Sequence, residues 1–158
     1  MSKRRVVVTG MGIISPIGND LKTAWENVVS GVSGVRPIEA FDVSAFTTRF
    51  GGCVRGFDAA EGGIPPKEAR KVDQYGIVAC NQAIADSGIE VREDNAHRMG
   101  VLMGAGIGGI GTIEGNYKKY LDADANPRKI SPFFVPGSII IMISGHISIM
   151  HGMTGPNL

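Results

Sequence analysis

One apolar run leaves the chain few folds to choose from. Residues 128–158 (RKISPFFVPGSIIIMISGHISIMHGMTGPNL) begin with a basic pair and a Ser-Pro step, pass two adjacent aromatics, and enter an almost uninterrupted stretch of Ile and Met. Ser138 suits an N-cap and Gly152 a left-handed C-terminal position, so roughly 13 residues between them read as one helix. The helix is apolar nearly all round, which predicts burial. Ser144, Ser148 and Gly152 recur at i, i+4, i+8, with Gly145 beside them, a row of small residues that lets another backbone approach closely. Gly155-Pro156-Asn157 predicts a turn, with a new strand expected to begin at Leu158. The run is interrupted by Pro136, Ser138, Ser144, His146 and Ser148 and falls short of the roughly 20 apolar residues of a membrane span, so no membrane association is expected.

A chain of 158 residues is long enough to bury a core of its own. Sixteen basic and 15 acidic residues leave a net charge of +1, without the excess that would draw the chain to nucleic acid. Glycine stands out at 23 residues, about twice its usual share of roughly 7%, and points to tight turns and close backbone contacts. Cys53 and Cys80 form neither a metal-type pair nor a disulfide framework, which fits a reducing cytoplasm. The N-terminus leads into a short strand, with no hydrophobic leader segment.

Read in order, residues 4–14 (RRVVVTGMGII) predict a buried strand, β-branched and nearly all apolar, as in a sheet covered on both faces. Asn19 or Asp20 caps a helix with core positions Leu21, Trp25, Val28 and Val29, stopped at Gly31. Residues 32–63 keep no period; Phe41, Phe46, Phe50 and Phe57 punctuate them, and residues 49–54 suit a short strand. A second helix is expected from Pro65 or Pro66 to Ser87, with Gly88 as its stop. Residues 98–103 (RMGVLM) predict another buried strand, opening into GAGIGGIG. A third helix carries Ile113, Tyr117, Tyr120 and Leu121, followed by a polar loop over 122–127. No repeat or linker divides the chain.

Gly104-x-Gly106-x-x-Gly109 stands between a predicted strand and a helix, the setting of a dinucleotide fingerprint. Asp122 and Asp124 lie at the spacing of the acidic residue such a site requires, but residues 116–121 (NYKKYL) form a helix end and not a strand. Thr9-Gly10-Met11-Gly12 lacks the later glycines. Close backbone packing explains both runs better, and nucleotide binding stays as an alternative. His146 and His151 are five apart, not the i, i+4 of a zinc pair, and no metal or cofactor is expected. Cys53 and Cys80 have no base nearby in sequence and read as packing residues, so the chain offers no nucleophile–base set. Lys67, Arg70 and Lys71 share one face at i, i+3, i+4 in the first turns of a helix, where positive charge opposes the macrodipole. They suit either a solvated face or a docking patch for an acidic partner.

Taken together, VVVTGMGIISPIGND, the helix with Trp25, SGVSGVRPIEAFD, KEARKVDQYG, GAGIGGIG, RKISPFFVPGSI and GHISIMHGMTGPN resemble, in order and spacing, the β-ketoacyl-acyl-carrier-protein synthases. The likeness is closest to the bacterial synthase II type and runs over essentially the whole chain. It implies the N-terminal portion, residues 1–158, of a synthase domain with the α/β thiolase fold: layered αβαβα, with mainly parallel buried strands and right-handed crossovers. It also implies a cytoplasmic homodimer acting in fatty acid elongation, by decarboxylative Claisen condensation of an acyl thioester with malonyl on acyl carrier protein.

In the family the nucleophilic Cys follows the GPN segment, and two His and a Lys come later. The chain is therefore expected to end short of its catalytic residues and to supply binding surfaces. By the resemblance, Ile107 gates the acyl pocket and Phe133 reaches toward the partner subunit's pocket, while Lys67, Arg70 and Lys71 match the carrier-protein patch. A non-catalytic relative keeping the dimer and carrier surfaces is the other reading. Two departures stand out: a few residues fewer than the family has between Asp73 and Gln74, and Ile141 where Asn is usual. The second is expected to remove a buried hydrogen bond, at about 1–3 kcal/mol if the partner is left unpaired.

Overall fold

The computed structural model describes residues 4–58, 60 and 71–158, with Lys71–Asp73 as backbone only. Helix α1 is Leu21–Val29, α2 Lys71–Ser87, α3 Ile110–Leu121 and α4 Ile141–His151; strands β1 (Val35–Pro37) and β2 (Phe50–Gly52) pair antiparallel. The chain divides into two compact units, Met1–Gly63 with Val78–Ile89, and Ile64–Ile77 with Glu90–Leu158.

In the first unit the predicted strand over 4–14 joins no ladder among the described residues, and Val6 is 93% exposed. Strand character is a local property, whereas becoming a strand needs a neighbour to exchange hydrogen bonds. The second half of α2 takes that neighbour's place for two amides: Met11 N–H donates to Asp86 Oδ2 at 2.9 Å and Ile13 N–H to Gln82 Oε1 at 3.0 Å. Asp86 and Gln82 are one turn apart on a helix and the two amides they accept are two residues apart in the segment alongside. Such an approach needs glycine. A Cβ on Gly10 would run into the Ala83 carbonyl, and one on Gly12 into that of Ala79. The packing reading of this glycine pair therefore holds.

Asp20, not Asn19, caps α1, its carboxylate accepting Thr23 N–H at 2.9 Å, and Gly31 follows the helix at φ 68°. The predicted core face of α1 is not its core. Leu21, Trp25, Val28 and Val29 are exposed and Ala24 is the buried residue, because the turn Ser15–Gly18 closes against the opposite side, where a Cβ on Gly18 would meet Ala24. Asn27 Nδ2 ties α1 to the Ile17 carbonyl at 2.6 Å. The expected strand at 49–54 shrinks to β2, in register Val35↔Gly52, Arg36↔Gly51 and Pro37↔Phe50.

α2 ends at Ser87 with Gly88 at φ 64°, as the sequence predicts. Its expected start at Pro65 or Pro66 lies outside the described residues, and the helix runs through Asp73–Gln74 without a break.

In the second unit, residues 98–103 make only a short ladder. Ala96–Arg98 is a 3₁₀ turn, Val101 is buried and Leu102 is exposed. Val101 N–H donates to Pro156 O at 2.9 Å, Leu158 N–H to Val101 O at 3.0 Å and Met103 N–H to Leu158 O at 3.1 Å, a parallel bridge centred on Asn157. In place of the strand expected to begin at Leu158 there is this isolated bridge at Asn157, and glycine again allows it: a Cβ on Gly155 would meet Met99 O at 2.5 Å, and one on Gly100 would meet Pro156 O at 2.5 Å.

α4 starts two residues later than expected. Ser138 is no cap, since its Oγ donates to Phe134 O at 2.6 Å within a preceding turn. Gly152, at φ 66°, ends the helix as predicted. Only one face of α4 is buried, through Ile143, Ser144 and Ile147, while Ile141, Ile149 and Met150 are exposed. The small-residue row does admit another segment: Asn157 Nδ2 donates to Ser144 O at 3.1 Å and to Ser148 Oγ at 2.9 Å. Ile141 is half-exposed, and among the described residues the buried side-chain polar atom without a partner is Asn19 Oδ1, in the first unit.

Candidate functional site

The two apolar candidates, Ile107 and Phe133, fall in the second unit, on two loops that meet at Ser138. Ile107 sits in the glycine loop ahead of α3. Gly108 adopts φ 76°, and a Cβ there would meet Ser138 O at 2.8 Å; the next amide, Gly109 N–H, donates to that same carbonyl at 3.3 Å. A left-handed residue at this step is what turns the loop into the helix. Phe133 opens the turn that leads to Ser138: its carbonyl accepts Gly137 N–H at 2.8 Å, and the Phe134 carbonyl accepts the Ser138 hydroxyl. Gly137 is tight against the Phe133 carbonyl and the Thr112 methyl, at 2.5 and 3.2 Å from an added Cβ. Both side chains project outward, Ile107 67% and Phe133 75% exposed. Large apolar groups held on fixed backbone and left open suit contact with an apolar ligand or a protein surface.

Between α3 and the segment before Phe133 lies an apolar recess of about 280 Å³, lined by Ile113, Asn116, Tyr117, Tyr120, Ile130 and Phe134. Tyr117 and Tyr120 stack with ring centroids 6.4 Å apart. Asn116, whose place in this wall sequence reasoning missed, is the polar member; its signal was an Asn in the middle of a helix, where that residue is a poor former. Its Nδ2 donates to Thr112 O at 2.8 Å and its Oδ1 accepts Ser131 N–H at 2.8 Å.

Lys67 and Arg70 of the basic cluster lie outside the described residues, and Lys71 lies in α2. Cys53 and Cys80 are both free. Burial pushes the Cys80 thiol above its ordinary pKa, the reverse of what a nucleophilic thiolate requires. Among the described residues no cluster of His, Cys, Asp and Glu could hold a metal ion, and no helix is long and apolar enough to cross a membrane.

The family described as Beta-ketoacyl synthase, N-terminal domain, matches residues 3–158. The chain is 52% identical over 161 aligned positions to the 3-oxoacyl-[acyl-carrier-protein] synthase 2 of Vibrio cholerae and 48% identical to that of Coxiella burnetii, covering 100% of this chain in each case. It spans 38% of the length of those curated relatives. Among solved structures it is similar to the ishigamide ketosynthase/chain length factor, with a TM-score of 0.79 at 25% identity over 99% of this chain and 40% of that one. A beta-ketoacyl synthase from Burkholderia phymatum gives 0.75 at 23% identity, over 97% and 38%. A ketosynthase in complex with its type II polyketide acyl-carrier protein gives 0.66 at 24% identity, over 96% and 40%. The α/β fold of the chain is thus that of the N-terminal part of the thiolase-like ketosynthases, even though the ladders it forms among the described residues are short.

Proposed function

We propose, from the premise that this chain belongs to the β-ketoacyl synthase family, that residues 1–158 are the N-terminal portion of a 3-oxoacyl-[acyl-carrier-protein] synthase of fatty acid elongation. The observation that carries the reading is the likeness to synthase 2 relatives along the entire chain. In the reaction an acyl group waits as a thioester while malonyl on the carrier protein loses carbon dioxide. The electron pair of the broken C–C bond becomes a carbanion, attacks the acyl carbonyl, and expels the thiolate. A thioester carbonyl needs an electrophilic pocket and the acyl tail a dry one. The share of this chain is the tail and the docking.

Ile107 and Phe133 form walls of the acyl pocket. The φ 76° bend at Gly108 sets the direction of the first, and the Phe133–Gly137 turn sets the second. Phe133 faces the acyl site of a second protomer in a cytoplasmic homodimer, which would cover the exposed ring. Lys67, Arg70 and Lys71 receive the acidic acyl carrier protein; the ketosynthase solved with its acyl-carrier protein supports this partnership. Binding of fluorescently labelled decanoyl carrier protein, followed by anisotropy over a salt series, tests the reading. The expected result is binding that weakens with salt and falls about tenfold in the double variant Lys67→Glu, Arg70→Glu, since two reversed contacts act on a steered, screened encounter. Unchanged binding in that variant would remove the docking role.

A further inference from the structure

Phe133 is held by its backbone and not by its ring, and the hydrogen bonds that hold it lead back to a single side chain on α3. Asn116 is 8% exposed and lies within Ile110–Leu121. An interior Asn competes with helix formation unless its amide is occupied. Here Nδ2 donates to the Thr112 carbonyl one turn back, which orients the amide so that Oδ1 faces away from its own helix and accepts Ser131 N–H. Ser131 is then committed on every polar group. Its Oγ accepts Phe133 N–H at 3.1 Å and its carbonyl accepts Phe134 N–H at 2.9 Å. The Phe133 carbonyl in turn closes the next turn with Gly137. The link from α3 to the Phe133 backbone is therefore continuous, Asn116 to Ser131 to Phe133.

We propose that Asn116 is a positioning residue for acyl chain length: through Ser131 it sets where the Phe133 ring stands, and so how long a tail the site accepts. This rests on the reading of Phe133 as an acyl-pocket residue. A wall residue carried on a hydrogen-bonded arm moves when the arm's anchor is lost, and a small displacement of the wall changes the room left for methylenes.

Two measurements on the full chain decide it. The first is the ratio of affinities for hexadecanoyl and hexanoyl pantetheine thioesters. The second is the ¹⁹F signal of 4-fluorophenylalanine placed at position 133 alone. In Asn116→Leu, which keeps the branched shape and loses both bonds, the ratio is expected to change about fivefold, the scale of one net hydrogen bond, and the ¹⁹F signal to move. Asn116→Asp keeps an acceptor for Ser131 N–H and loses the donor to the Thr112 carbonyl, so it is expected to bring both readouts part of the way back. A purely structural Asn would lower all affinities together and leave the ratio alone, which overturns the proposal, as does an unmoved ¹⁹F signal in folded Asn116→Leu. If that variant does not fold, Ser131→Ala removes only the Oγ link to Phe133 N–H and must shift ratio and signal likewise. Should the unaltered chain bind neither thioester, the acyl reading of Phe133 fails, while the ¹⁹F comparison still decides whether Asn116 positions it.

Discussion

Asp20 shows how much a single side chain can do at a helix start. Its carboxylate accepts Thr23 N–H, and mainly that bond holds its pKa below the usual aspartate value. A depressed folded-state pKa means that the stabilisation is present above the ordinary aspartate value and is lost as pH falls through the lowered one. Asp20→Ala is therefore expected to destabilise the chain by about 1 kcal/mol at neutral pH, by urea denaturation, with the gap closing on acidification. Asp20→Asn keeps the cap and should show no such closing. A second residue works against its own backbone. Ala125 stands at φ 59°, directly after Asp124 at φ 52°, and the left-handed region costs a residue with a Cβ about 1 kcal/mol or more. Ala125→Gly is expected to raise the urea midpoint, by an amount worth up to about 1 kcal/mol once the extra freedom of glycine in the unfolded chain is subtracted.

Helix α4 draws its place from one buried face and one staple. Ile147 is fully buried beside Ser144 and Ile143, and Ile147→Ala should cost about 2–5 kcal/mol, through lost transfer energy and the cavity left behind. The staple is Asn157, which ties the segment after α4 back to Ser144 and Ser148 while that segment pairs with Val101 and Met103. Asn157→Ala leaves α4 intact but frees the ladder. The check is hydrogen exchange at the Val101 and Met103 amides, which should speed up by about tenfold, as expected for loss of one to two hydrogen bonds. Unchanged protection would mean that the paired backbone holds itself. At this scale the helices were the legible part of the chain. Stops at Gly31, Gly88 and Gly152 depend on neighbours three or four residues away and fell where local chemistry put them. The α1 cap fell on Asp20, one of two candidates, whereas the cap expected at Ser138 did not form.

Over the whole chain the unmet demand is apolar. Val6, Val8, Trp25 and Val29 in one unit, and Ile107, Phe133 and Ile149 in the other, are large hydrophobic residues left open to water. Water disfavours such surface wherever it is contiguous. The 158-residue chain is expected to bind 8-anilinonaphthalene-1-sulfonate and to scatter light as a species larger than a monomer, the more so in ammonium sulfate, which strengthens apolar association. A monomeric chain silent to the dye would contradict the exposed faces described above.

What the sequence alone determined is what short-range chemistry and a long match can carry: the helices, their stops, the packing glycines at Gly10 and Gly12, and the family. Tertiary structure decided the rest. Residues 4–14 have every local mark of a buried strand, yet pairing is a contact with a distant segment, and here their amides meet α2 side chains instead of a neighbouring strand. The apolar period of α1 marked a hydrophobic face correctly, but which face is covered depends on where the turn Ser15–Gly18 closes. Asn116 is the clearest case. In the sequence it is a polar residue in a helix, and only the fold brings it to Ser131, 15 residues on, because a hydrogen bond between them needs α3 and the following segment to lie side by side.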